Sequence, residues 1–259
     1  MIGVLDIDGL RIRYKQGGQG APILLLHGWG GQIESMDPIA NALAQHFATT
    51  SIDFPGHGES DLPAEPWHVG DFLTCTMKLM DRLGLDQPGI VAHSFGGRVA
   101  IKLAAAHPDR AGRLLFTAGA GVKPPPSLGR RLKRLVGSTA GSLRAAAHAV
   151  SPATGAMAER MGKSLFPFLA SQDYRNAGEL RLTLGHVVAE DLTPFLHKIR
   201  SKCLLVWGDQ DRDTPLYCGQ TMKRLIPDSE LVVFRGAGHF PYVDQMNKFN
   251  MLSLKLFRE

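Results

Sequence analysis

The sequence predicts an α/β protein: one mostly parallel, twisted sheet with helices on both faces. Two observations predict it. Short apolar runs alternate with segments of helical spacing along most of the chain, a rhythm that implies strands joined by crossover helices. The five-residue turn His93-Ser94-Phe95-Gly96-Gly97 also falls between an apolar run, Gly89 to Ala92, and a helical pattern beginning at Arg98. A serine on such a strand-to-helix turn has its hydroxyl held clear of the backbone at the top of a sheet.

The elements follow in order. Val4 to Ile7 and Leu10 to Tyr14 flank Asp8-Gly9, a strong hairpin signal that places an antiparallel pair at the sheet edge. Ile23 to Leu26 is a buried strand, and Ser35 to Phe47 has helical spacing through Met36, Ile39, Ala40 and Leu43. Thr49 to Phe54 is a strand, Val69 to Leu83 a helix, and Gly89 to Ala92 a strand. Gly97 to His107 is a helix that Pro108 ends, and Leu114 to Thr117 is a strand. The rhythm breaks at Lys123-Pro124-Pro125-Pro126, a stiff exit that cannot extend a helix. Residues from about 127 to 195 read as helical, with Leu128, Leu132, Leu135 and Val136 on one face. Strand Cys203 to Trp207, helix Leu216 to Leu225, strand Leu231 to Phe234 and a final helix restore the rhythm. The expected organisation is a core of residues 1–121 and 196–259 interrupted by a helical cap over 122–195.

The 259 residues are enough for one large domain with such an insertion. No run of about 18 apolar residues is present, so no membrane span is expected. The N-terminus, MIGVLDIDGLRIRY, has acidic residues where a signal peptide would be basic and then apolar, and the expected location is cytoplasmic. Three cysteines, Cys75, Cys203 and Cys218, follow no metal-ligand spacing; neither a metal nor an organic cofactor is expected. The net charge of +5 is uneven: Gly121 to Asp191 has ten Lys/Arg against five Asp/Glu, and the rest has nineteen of each. That basic cap suits an acidic substrate or an acidic carrier, with no nucleic acid as partner.

A serine hydroxyl is a weak nucleophile and needs an adjacent base, in turn oriented by a carboxylate. The acid candidates follow strand Cys203 to Trp207: Asp209, Asp211 and Asp213. Crowding allows at most one of them to face inward. The histidine candidate is His239, in Gly236-Ala237-Gly238-His239-Phe240 after the last strand. Acyl transfer also requires donors for the developing oxyanion, worth roughly 3 kcal/mol each. The Phe95 N–H, just past the serine, is one. The other is the Trp29 N–H, in the loop Leu26-His27-Gly28-Trp29-Gly30-Gly31.

With these residues in place the chain resembles the α/β-hydrolase superfamily nearly end to end. The resemblance rests on LLLHGWGG (24–31), DFPGHGES (53–60), AHSFGG (92–97), WGDQDRDTP (207–215) and GAGHF (236–240). Ala92 stands where the nucleophile motif usually has glycine. The resemblance implies an α/β-hydrolase fold with a cap and a Ser94–Asp211–His239 triad. Asp211 is preferred because a Gly-x-x-Asp-x-x-x-Pro pattern maps onto Gly208, Asp211 and Pro215. It also implies a structural role for His57. The HGWG turn and short cap are similar to carboxylesterases of the pimeloyl-acyl-carrier methyl esterase type, which implies cleavage of a small or acyl-chain ester, carrier-linked through the basic cap. Ser-x-Gly-Gly-Arg also occurs in menaquinone-pathway synthases, which implies a substrate-carboxylate role for Arg98. The expected function is a serine carboxylesterase. The alternatives are a synthase, lyase or carbon–carbon bond hydrolase using the same triad, and a slow-turnover ligand-binding receptor.

Overall fold

The computed structural model describes residues 1–123 and 178–258. The sheet has eight strands: β1 (Ile2–Ile7), β2 (Leu10–Gly17), β3 (Pro22–Leu26), β4 (Ala48–Ile52), β5 (Gly89–His93), β6 (Leu114–Thr117), β7 (Cys203–Gly208) and β8 (Ser229–Phe234). Their order is β1-β2-β4-β3-β5-β6-β7-β8. The expected hairpin forms at one edge, where β1 pairs antiparallel with β2 and β2 with β4. Every other pairing is parallel.

Side chains alternate across a strand, and both faces of this sheet are covered. Leu24, Leu26, Ile90, Ala92, Leu114, Phe116, Leu205 and Trp207 belong to one apolar layer. Ile23, Leu25, Val91, Leu115, Leu204 and Val206 belong to the other. Helices α2 (Val69–Arg82), α3 (Phe95–Ala106) and α5 (Leu216–Leu225) supply buried residues to the first layer; α1 (Asp37–Leu43) and α7 (Met246–Arg258) supply the second. A single-turn helix, α6 (Pro241–Asp244), precedes α7. The helix expected over Ser35 to Phe47 is shorter than its spacing suggested: a 3-10 turn, Ile33–Met36, leads into α1.

The chain divides into two compact units, Met1–Pro124 with Leu182–Glu259, and Pro125–Arg181. The second edge of the insertion therefore lies earlier than position 195. Burial explains the shift. Helix α4 (Arg181–Ala189) buries Thr183, Leu184 and Val187, and Leu192 and Leu196 are wholly buried in the first layer. The Leu192 N–H donates to Gly121 O and the Trp67 N–H to Thr183 Oγ1. The helical stripe Leu128, Leu132, Leu135 and Val136 and the basic run at 130–134 lie outside the described residues. No helix among the described residues is long and apolar enough to cross a membrane.

Close packing at the end of β5 sets the site. A Cβ added at Gly96 would lie 2.4 Å from Leu26 O and 2.8 Å from Leu26 Cβ. Backbone cannot yield as a side-chain tip can, so Gly96→Ala is expected to destabilise the fold by about 2 kcal/mol or more. Urea denaturation measures it; a stability equal to wild type would show that α3 is free to move off β3.

Candidate active site

Parallel strands bring their carboxyl ends to one edge, where an open α/β sheet binds ligands. Ser94 follows β5 with φ 46° and ψ −111°, a backbone region that L side chains rarely adopt. The surrounding backbone holds it there. The Ser94 N–H donates to Thr117 O at 3.2 Å, and Ser94 O accepts from Gly97 N at 2.9 Å and Ala120 N at 2.8 Å. The hydroxyl thus stands at the N-terminus of α3, the positive end of its dipole.

The loops after β7 and β8 bring two more side chains to this hydroxyl. His239 Nε2 lies 3.0 Å from Ser94 Oγ, and His239 Nδ1 lies 2.9 Å from Asp211 Oδ2. A carboxylate can only accept, so Nδ1 carries the proton and Nε2 is left to accept from the serine. The same geometry separates the three aspartates. Asp211 is buried, whereas Asp209 and Asp213 are exposed. Asp209 Oδ1 instead accepts from the Gly236 N–H at 2.8 Å and ties the β7 loop to the β8 loop.

Burial pushes the Asp211 carboxyl up. The hydrogen bond and charge of His239, with the Thr214 bonds, outweigh it and hold the carboxyl below its ordinary range. Its Oδ1 accepts from the Asp213 and Thr214 N–H groups, both at 2.9 Å. Thr214 Oγ1 lies 2.9 Å from both Asp211 Oδ2 and Ala118 O. Thr214 therefore braces the carboxylate against the end of β6. The sequence reading missed it, although its position three residues past an aspartate suits a local side-chain-to-backbone turn. Asp211, Asp213 and His239 also bring potential metal-ligand atoms within 4.8 Å of one another. Hydrogen bonds already occupy both Asp211 oxygens and His239 Nδ1, so a cation there would have to displace them.

His27, also missed, organises the candidate oxyanion loop. Its Nε2 accepts from the Phe54 N–H at 3.0 Å, so its Nδ1 carries the proton, which it donates to Gly28 O at 2.7 Å. Gly28 O also accepts from the Gly31 N–H at 3.0 Å. Gly28 C=O and Trp29 N–H belong to one planar trans peptide and point in opposite directions. Two hydrogen bonds on the carbonyl therefore fix the direction of the Trp29 N–H. The His27 carbonyl meanwhile accepts from the Gly96 N–H at 3.0 Å, docking this loop on the serine turn. Among the described residues no protein acceptor faces the Trp29 or Phe95 N–H. The rings of these two residues meet edge to face at 5.3 Å, and His57 packs on both, its Nδ1–H donating to Pro55 O at 3.1 Å.

Removing His27 leaves a buried Phe54 N–H unpaired and lets the Gly28 peptide turn. His27→Ala is expected to lower kcat about tenfold or more with little change in KM, because one oxyanion donor contributes about 10²–10³-fold. Steady-state kinetics measures it; an unchanged kcat would show that the loop holds itself.

Burial, then the charge of neighbouring histidines, pushes both His27 and His93 down to about 3. These imidazoles fold neutral and protonate at about pH 6.5 when unfolded. Their folded values are depressed, so the unfolded state takes up protons first as pH falls. Stability is expected to decline below about pH 6.5, before carboxylates titrate, and His27→Gln is expected to flatten that decline. Denaturation midpoints between pH 7.5 and 4.5 measure it.

Arg98 is not brought to the triad. It has no hydrogen bond to Ser94, Asp211 or His239; its buried guanidinium donates to Glu190 O at 2.9 Å, just past α4. The Glu190 carboxylate pairs instead with Lys102 at 2.6 Å. Burial lowers the Arg98 pKa while Glu190 and Asp191 oppose the shift. A cation beside the last carbonyls of a helix is favourable, which accounts for an arginine early in α3 without a ligand.

The chain is similar to known proteins over nearly its whole length. An uncharacterized protein of Mycobacterium tuberculosis is 27% identical over 263 residues, covering 94% of this chain and 77% of its own length. The 2-hydroxy-6-oxononadienedioate/2-hydroxy-6-oxononatrienedioate hydrolase of Paraburkholderia phymatum is 28% identical over 262 residues, covering 95% and 90%. The crystal structure of the enol-lactonase from Burkholderia xenovorans LB400 superposes with a TM-score of 0.76 at 23% identity, covering 99% of this chain and all of that one; at that identity it shows the fold. The family model for the alpha/beta hydrolase fold matches residues 21–245, the span from β3 through the His239 loop, and the chain belongs to that family.

Proposed function

We propose that this protein is a serine hydrolase that cleaves a carboxylic ester through an acyl-enzyme. The supporting observation is the unbroken relay from Ser94 Oγ to His239 at 3.0 Å and on to Asp211 at 2.9 Å. In this reading Ser94 Oγ attacks the ester carbonyl as His239 Nε2 takes its proton. The Trp29 and Phe95 N–H groups hold the oxyanion. Collapse expels the alcohol, which receives the proton from His239. Water then enters by the same route and releases the acid. Asp211 keeps the His239 tautomer and stabilises the imidazolium. The basic excess of residues 121–191 suits an acidic or carrier-linked acyl substrate.

The Paraburkholderia phymatum relative favours a second reading, a carbon–carbon bond hydrolase with the same three residues. Arg98 separates the two. A substrate-carboxylate role predicts that Arg98→Ala abolishes binding of a dienoate; the contacts of Arg98 support a structural role instead. The test compares p-nitrophenyl esters of increasing acyl length with a 2-hydroxy-6-oxo-dienoate on one preparation. Ester turnover lost with Ser94 and retained in Arg98→Ala supports the esterase. Faster cleavage of the dienoate, lost in Arg98→Ala, would replace it.

A further inference from the structure

His93 borders the site and has no part in the scheme above. Its Nδ1–H donates to Thr117 O at 3.0 Å, and a carbonyl can only accept, so Nδ1 holds the proton. Burial keeps the ring neutral. His93 Nε2 is therefore a bare acceptor, and among the described residues no donor meets it. Its position is informative. A Cβ built on Gly28 would lie 3.3 Å from His93 Nε2 and 3.2 Å from Ser94 Cβ. The nearest atom, His93 Cδ2, would be at 2.9 Å, so Gly28 lets the oxyanion loop pack directly against both this imidazole and the nucleophile. The His93 and His239 rings are neighbours, 4.9 Å apart between centroids and tilted by 52°, so the two imidazoles flank the nucleophile together.

Water attacking an acyl-enzyme brings two O–H bonds. His239 Nε2 takes one proton. A water drawn out of bulk solvent to the acyl carbon leaves its other O–H unpaired unless an acceptor meets it. We propose that His93 Nε2 accepts this second O–H and so positions the hydrolytic water; the proposal rests on the acyl-enzyme reading above. The step balances. The water oxygen bonds to the acyl carbon as one proton passes to His239. The C–Oγ bond to Ser94 then breaks, and His239 returns that proton to Ser94 Oγ. The O–H held by His93 stays on the product acid, so His93 gains and loses no proton. It is a positioning residue that discriminates between nucleophiles with two O–H bonds and those with one.

Methanol provides the test, because its single O–H is satisfied by His239 alone. Wild type, His93→Phe and His93→Leu are given p-nitrophenyl butyrate in buffer with a fixed concentration of methanol. Methyl butyrate and butyrate are then quantified. The product ratio does not depend on how much protein is folded or active, so a stability loss leaves it unchanged. Losing one hydrogen bond to the water is expected to raise the ester-to-acid ratio about tenfold in both variants. A wild-type ratio in both overturns the proposal. A rise in only one marks an effect of side-chain shape and also overturns it. If neither wild type nor either variant gives methyl butyrate while cleaving the ester, the acyl-enzyme reading fails and the His93 role fails with it.

Discussion

Ser94→Ala is expected to lower ester turnover by about 10⁴-fold or more, because residues that act as a unit lose nearly the whole chemical step when one is removed. The substitution removes the only atom that His239 Nε2 contacts in the relay. Stability should behave differently. Ser94 sits at φ 46° and ψ −111°, and a conformation so sparsely populated costs of order 1–3 kcal/mol. Alanine keeps that strain, because its Cβ meets the same backbone. Glycine releases it. Ser94→Gly is therefore expected to be as inactive as Ser94→Ala yet about 1 kcal/mol more stable than wild type. Urea denaturation of the three proteins measures the difference. Equal stability of the glycine and alanine variants would show that the turn stores no strain.

Asp211→Asn is expected to cost about 10⁴-fold in kcat with the site geometry largely kept. The carboxylate accepts from His239 Nδ1–H, two backbone N–H groups and Thr214 Oγ1. An amide presents its own N–H to one of these donors, so either the His239 tautomer inverts or a donor is left unpaired. The pH dependence has a definite sign. The folded-state pKa of Asp211 is depressed below the ordinary carboxylate value, despite the opposing effect of burial. Its stabilisation is thus fully present above about pH 4 and is lost as pH falls through the folded value. The stability gap between wild type and Asp211→Asn should narrow in acid. Paired denaturation curves from pH 7 to pH 2.5 check this, and a gap that widens in acid would place the shift in the other direction.

The core of the site is legible in the sequence because each functional residue follows a strand. A short continuous apolar run, the mark of a strand buried on both faces, fixes where β5, β7 and β8 end, and the next few residues must then lie at the carboxyl edge of the sheet. Ser94, Asp211 and His239 all satisfy that condition, and so does the Gly28–Trp29 loop after β3. What supports them is less visible. The role of His27 depends on which ring nitrogen is protonated, and only the Phe54 N–H and Gly28 O on either side decide that. Thr214 reads as an ordinary loop threonine until Ala118 O is brought to its hydroxyl. Arg98 suggests a ligand because it is charged and near the serine; its partner is a carbonyl 92 residues away, which local spacing cannot reveal. The return from the insertion is blurred for a similar reason. The segment from Leu182 through Leu196 has helical spacing, and spacing does not tell which unit its apolar face packs against.

The most direct measurement is the rate and position of covalent labelling by a fluorophosphonate, read by mass spectrometry of the digested protein. An activated Ser94 should take up one equivalent, located on the peptide containing residue 94. Labelling should slow about 10³-fold or more in His239→Ala, where no base remains to accept the hydroxyl proton. A label on a different residue, or one placed at Ser94 just as fast without His239, would contradict the relay on which the proposed chemistry stands.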